Sequence, residues 1–231
     1  MKDKFIDIAL TYEMFLRIEE KRVLKETVQK DNLLIEHKDE DIKDNIALHI
    51  IKQAPSFKKT IKKIIGLMNE FNFKGTPSVD RAYDIQHKNR TNNYDLLFHN
   101  MDLYAHTLHV AYEILQFSRK GNTGGINILI ALLHDFGKSH KVIEMYSDIA
   151  SLSHEKISAK FAEDFLLDEM LQGDRELSAE VIEVIKNTID VQHSEVKNKS
   201  LFLQDIISAD SNARRNEITF IKKKIGVKND S

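Results

Sequence analysis

The sequence predicts an all-α protein, a multi-helix bundle with an additional helical region at its N-terminus. Three observations carry that expectation. Only two prolines and eight glycines occur in 231 residues. Runs of valine, threonine and aromatics bounded by turn clusters, the mark of strands, are scarce. Apolar residues recur at helical spacing in most segments, and at 42% hydrophobic residues the chain can bury a sizeable interior.

Composition also excludes function classes. Lys plus Arg at 34 against Asp plus Glu at 36 leaves no global nucleic-acid footprint, although local basic patches remain available to nucleic acid. With no cysteine there is no disulfide, thiolate metal site or thiol nucleophile. The start Met-Lys-Asp-Lys carries no signal-peptide pattern, and the longest apolar run is too short for a membrane span, so a cytoplasmic protein with no membrane partner is expected.

The elements follow in order. From Phe5 to about Gln29, Phe5, Ile8, Ala9, Tyr12, Phe15, Leu16 and Val23 stripe an amphipathic helix. A second helix near Asp41 to Gln53 is carried by Ile42, Ile46, Ile50 and Ile51 and is closed by Pro55, which pushes its preceding residue out of the helical region. Ser56 is placed to cap a third, with inner stripe Ile61, Ile64, Ile65, Met68 and Phe71. Its outer face, Lys58, Lys59, Lys62 and Lys63, is either a solvated face or a track for a phosphate backbone. Lys74 to Asn93 has no sustained period and reads as a long loop. It divides residues 1–93, a helical N-terminal region, from residues 94–231, the core.

Within the core, Tyr94 to Arg119 carries two apolar stripes and reads as one mostly buried helix, with His106 and His109 in its middle and His99 upstream in a capping or surface place. After a turn at Gly121 to Gly125, the stretch Ile126 to Lys138 stays apolar until His134 and Asp135, and Gly137 fits the left-handed position that ends many helices. The next helix starts near Ser153, with His154 and Glu155 in its first turn and Ile157, Phe161, Ala162 and Phe165 inside, and stops at Gly173. An acid suits a helix N-terminus; a histidine there favours the neutral form, which is the form that binds metal. From Ser178 the row Val181, Ile182, Ile185, Ile189 leads to His193. A last helix from about Ser200 packs Leu203, Ile206 and Ile207, and the next place on that row is Asp210. A buried carboxylate needs a cation, and Arg214, Arg215 or a metal could serve. Lys222 to Lys224 and the polar end from Lys228 read as a solvated tail.

His106, His134 with Asp135, His154, His193 and Asp210 thus each end or interrupt an apolar face. Imidazoles and carboxylates projecting from facing helices are how bundles build metal sites, and six ligands suit two bridged ions better than one tetrahedral ion. With only His, Asp and Glu as donors the ions would be Mn, Fe, Co, Ni, Zn or Mg.

The chain here resembles the HD superfamily of metal-dependent phosphohydrolases over about residues 95 to 215. Its pattern of a His, a His-Asp pair and a distant Asp matches His106 in His-Thr-Leu-His-Val-Ala, His134 and Asp135 in Leu-Leu-His-Asp-Phe-Gly-Lys, and Asp210 in Ile-Ile-Ser-Ala-Asp-Ser-Asn-Ala-Arg. Two-metal members add histidines between the pair and the last Asp, where His154 and His193 stand. The resemblance implies a bundle of the HD-domain type in which Asp135 bridges two ions and the other five residues are terminal ligands. It also implies that a metal-bound hydroxide cleaves a phosphate ester or anhydride of a nucleotide or related small molecule. Lys138 is placed to reach a phosphate oxygen, Glu155 to orient an imidazole, and His109 and His140 to contact substrate. Two other readings stand beside it. One is a nuclease or relaxase-like protein; HD members of that kind share the His-Thr-Leu stretch but usually place Gly-Gly-Leu before it, where this chain has Met-Asp-Leu-Tyr-Ala. The other is a metal-stabilised, non-catalytic module that binds a nucleotide or a partner protein.

Overall fold

A computed structural model describes residues 39–79, 93–117, 122–194 and 199–224. The helix expected over Phe5 to Gln29, most of the loop after Val79 and the end from Lys228 lie outside the described residues. What is described is all-α: α1 (Asp39–Gln53), α2 (Lys58–Glu70), α3 (Asn93–Asn100), α4 (Leu103–Leu115), α5 (Asn122–Leu133), α6 (His140–Met145), α7 (His154–Leu171), α8 (Ala179–Asp190) and α9 (Leu201–Lys224). No described helix is long and apolar enough to cross a membrane.

The apolar rows bury as their spacing demands. Ile46, Ile50 and Ile51 of α1 and Ile61, Ile64 and Met68 of α2 face inward, and Ala54 leaves the helical region ahead of Pro55 (φ −124°, ψ 67°). Ser56 does not cap α2. Pro55 instead opens a short 3-10 turn, and the cap position falls on Phe57 without any side-chain bond. In place of one helix over Tyr94 to Arg119 there are two, because Asp102 accepts the Ala105 N–H through its side chain and starts α4 anew. Every residue of α4 from Leu103 to Ile114 is buried. The central helix also begins earlier than expected, at Asn122, so Gly124 and Gly125, expected in a turn, join its first turn.

Helix α4 packs against α1, α5 and α9, while α7 packs along α8. One hydrophobic core runs through all of them and includes Ile46 to Phe73. The described part of the N-terminal region, before the division expected at residue 93, thus shares that core. Beneath the turn that follows α5 lies an aromatic block. Phe136 stacks on Phe161 (4.5 Å, 11°), meets Phe73 at 4.6 Å, and is approached edge-on by Phe71 at 6.1 Å.

Candidate metal centre

Helix α5 is wholly buried from Ile128 to Leu133, and its end delivers His134 and Asp135 into the turn leading to Phe136–Lys138. Gly137 is not left-handed; among the described residues positive φ belongs to Asn72 and Gly173 (φ +93°, as expected where α7 stops). What requires glycine at 137 is proximity. A Cβ there would collide with the carbonyl of His154, and the Gly137 N–H donates to Ser158 Oγ at 2.7 Å. This close approach sets the first turn of α7, with His154 and Glu155, against Asp135. Ser153 precedes it without a side-chain bond to the backbone.

The imidazoles are oriented from behind. His134 Nδ1 donates to the Ala131 carbonyl at 2.7 Å; since a carbonyl only accepts, the neutral form of this imidazole has its lone pair on Nε2. His106 has Nδ1 at 2.8 Å from Glu217 Oε1, leaving Nε2 at 3.2 Å from Asp210 Oδ1 and 3.6 Å from Asp135 Oδ2. One donor atom from each of His106, His134 and Asp210 lies within 4.8 Å of the others. All three residues present a buried atom, Nε2 of either histidine or Asp210 Oδ1, that has no hydrogen-bond partner. Such atoms are costly unless something fills the space they share, and nitrogen and oxygen donors facing one point suit a cation.

A second group stands beside the first. His154, Glu155 and His193 bring one donor atom each within 4.8 Å, with the two Nε2 atoms 3.4 and 3.6 Å from Glu155 Oε1. Asp135 lies between the groups. Its Oδ2 is 3.3 Å from His134 Nε2, and its Oδ1 is 3.7 Å from His154 Nε2. All six residues read from the sequence as ligands are thus brought together, and Glu155 joins them as a donor, where only an orienting role was expected of it.

The electrostatics follow from this crowding. Burial pushes the Asp135 carboxyl up, but His134 and Lys138 outweigh it and hold it well below the usual carboxylate range. Asp210 is depressed in the same way, by His106 and then Arg214 against burial. Burial, then the Lys138 charge, lowers His154 to about 4, so its imidazole is neutral at ordinary pH. His106 goes the other way: burial and Arg214 pull it down, yet Glu217 and Asp210 raise it overall.

Lys138 donates to Asp135 Oδ2 at 2.7 Å and to the Ser78 carbonyl at 3.3 Å, so its ammonium sits beside the two donor groups. Arg214, the alternative partner for Asp210, lies 3.9 Å from it and spends its closer contacts on Ser78 and Glu217. His109, expected to contact substrate, is buried with Nδ1 3.2 Å from Glu217 Oε1 and shares that carboxylate with His106. His140 is exposed at the first residue of α6, and among the described residues no hydrogen bond or ion pair joins it to the donor groups.

Two participants escaped the sequence reading. Glu217 continues the row Ile206, Asp210, Arg214, Ile221 along α9, and a charge between buried isoleucines was its signal. Ser78 had none. It comes from the stretch read as loop and is fully buried because Ser78 N–H donates to the Met101 carbonyl while Arg214 grips its carbonyl and hydroxyl. A scan with protein-family models matches none to this chain, and searches of curated proteins and of solved structures give no significant match.

Proposed function

We propose that this chain is a metal-dependent phosphohydrolase of the HD type, acting on a phosphate ester or anhydride in a nucleotide or related small molecule. A single observation carries the reading. Six side chains named from sequence spacing, on five different segments, converge so that two donor groups flank Asp135. Chance core histidines would satisfy one another or the backbone; here Nε2 of His106 and of His134 is left facing a shared space.

Two divalent ions, of the Mn, Fe, Co, Ni, Zn or Mg class, fit these donors. His106, His134 and Asp210 would hold one, His154, His193 and Glu155 the other, with Asp135 common to both. When bound, such ions supply charge that neutralises phosphate oxygens and lower the pKa of water. The chain's own residues do the rest. Ala131 and Glu217 fix the imidazoles, Lys138 brings a further positive charge for an anionic substrate, and burial of the site strengthens each attraction.

The test is metal analysis of the purified protein followed by a Mn²⁺-supplemented panel of nucleotides, simple phosphate monoesters and single-stranded oligonucleotides. The expected outcome is turnover of a small phosphorylated molecule, with bound metal and turnover lost together in His134→Ala. Full activity in that variant overturns the proposal.

A further inference from the structure

We propose that Glu217 is the positioning residue of the His106 donor group, holding the imidazole proton on Nδ1 so that Nε2 turns its lone pair toward the cation. The inference deepens the phosphohydrolase reading and rests on it.

Glu217 is wholly buried on the same face of α9 as Asp210. A carboxylate has only acceptors to offer, so the Nδ1 atoms at 2.8 Å (His106) and 3.2 Å (His109) must both donate to its Oε1. Its other oxygen accepts from Arg214 Nη1 at 3.2 Å, and Arg214 is itself anchored on Ser78 Oγ at 2.7 Å and the Ser78 carbonyl at 2.6 Å. The carboxylate is therefore held from both ends and cannot turn away from the imidazoles.

Taking a carboxylate out of water is expensive, and an apolar residue of similar size would often serve stability as well. What an apolar residue cannot do is choose a tautomer. A neutral imidazole in water prefers its proton on Nε2; at His106 that proton would point at Asp210 Oδ1, 3.2 Å away, and occupy the lone pair a cation needs. Glu217 reverses the preference. His134 solves the same problem with a neutral acceptor, the Ala131 carbonyl, so both histidines of this group are aimed by an acceptor behind the ring. A charged acceptor also makes its imidazole a more basic ligand, which is how outer carboxylates commonly tune metal-binding histidines.

Histidine tautomers are read directly by long-range proton–nitrogen NMR, on the full chain in alkaline buffer containing a chelator, with His106 assigned through His106→Gln. The wild-type protein should show His106 as the Nδ1–H form, and Glu217→Gln should convert it partly or wholly to Nε2–H. Titration with Mn²⁺ alone should show affinity falling about 10- to 100-fold in Glu217→Gln. Recovery of the Nδ1–H form in Glu217→Asp would support the charge as the cause. A wild-type His106 in the Nε2–H form overturns the proposal and needs no variant to fold. So does an unchanged tautomer with unchanged Mn²⁺ affinity in Glu217→Gln. If the unaltered protein binds no Mn²⁺, the hydrolase reading fails, while the ion-free tautomer measurement still decides the role of Glu217.

Discussion

Replacing Asp135 by Asn keeps the shape of the side chain and removes the one charge common to both donor groups. Asp135 is 2% exposed, and its oxygens lie 3.3, 3.6 and 3.7 Å from three different imidazole nitrogens. An ion bound only by the folded state stabilises it by RT ln(1 + [L]/Kd), about 2.7 kcal/mol at a hundredfold excess over Kd. For a chain of this size that is a rise in Tm of roughly 5 to 11 °C. A ligand carboxylate is worth no less than an outer-shell partner, so Asp135→Asn should weaken binding by about 100-fold or more. At the same Mn²⁺ concentration the stabilisation then drops to about 0.4 kcal/mol, a shift of roughly 1 °C. Thermal melts with and without Mn²⁺, each protein compared with itself, separate this loss from the destabilisation caused by depriving Lys138 of its 2.7 Å partner. A Mn²⁺-dependent rise that survives at wild-type size in Asp135→Asn would refute the shared-carboxylate reasoning.

Other expectations are as concrete. His154 is lowered to about 4 in the fold, so between pH 6.5 and 4 the unfolded chain takes up a proton that the metal-free folded chain does not, and stability falls as pH drops through that window. Denaturant melts of the chelated protein should show this loss shrinking in His154→Gln; an unaltered pH profile would count against it. Gly137→Ala forces a methyl into the His154 carbonyl, and this overpacking should cost about 1–3 kcal/mol and weaken Mn²⁺ binding by parting Asp135 from α7. Asp102→Ala removes the cap of α4 and should cost about 1 kcal/mol by chemical denaturation, with Asp102→Ser recovering most of it. If the exposed Lys58, Lys59 and Lys62 carry oligonucleotides, affinity should drop steeply with salt; a flat response removes nucleic acid from that face.

The helices and the six converging side chains could be read from spacing because both are local matters. A row of isoleucines fixes which face turns inward, and a histidine or aspartate at the end of that row inherits its direction, as with Ile206 and Asp210. The misreadings share a different cause. Helix α2 starts from the turn that Pro55 opens, with no side-chain cap, and α3 and α4 are two helices because the short side chain of Asp102 wins a backbone N–H; composition alone ranks neither outcome. The function of Gly137 is invisible until α7 is laid against it. Ser78 and Glu217 meet through Arg214, with Ser78 136 residues away from it in sequence, and no periodicity encodes a contact of that range.

The stacked rings under Phe136 give the His-Asp turn a rigid seat. Phe136 is joined by its ring to α7 through Phe161 and to the segment after α2 through Phe73, so the backbone next to Asp135 is bolted to chain that folds far from it in sequence. Opening that turn to solvent means prising several aromatic faces apart at once, and its amides should exchange with deuterium only as slowly as the whole domain unfolds. Functional sites are often drawn from the softer parts of a protein; these donor groups sit on some of its hardest ground, with His193 the member left exposed at their edge.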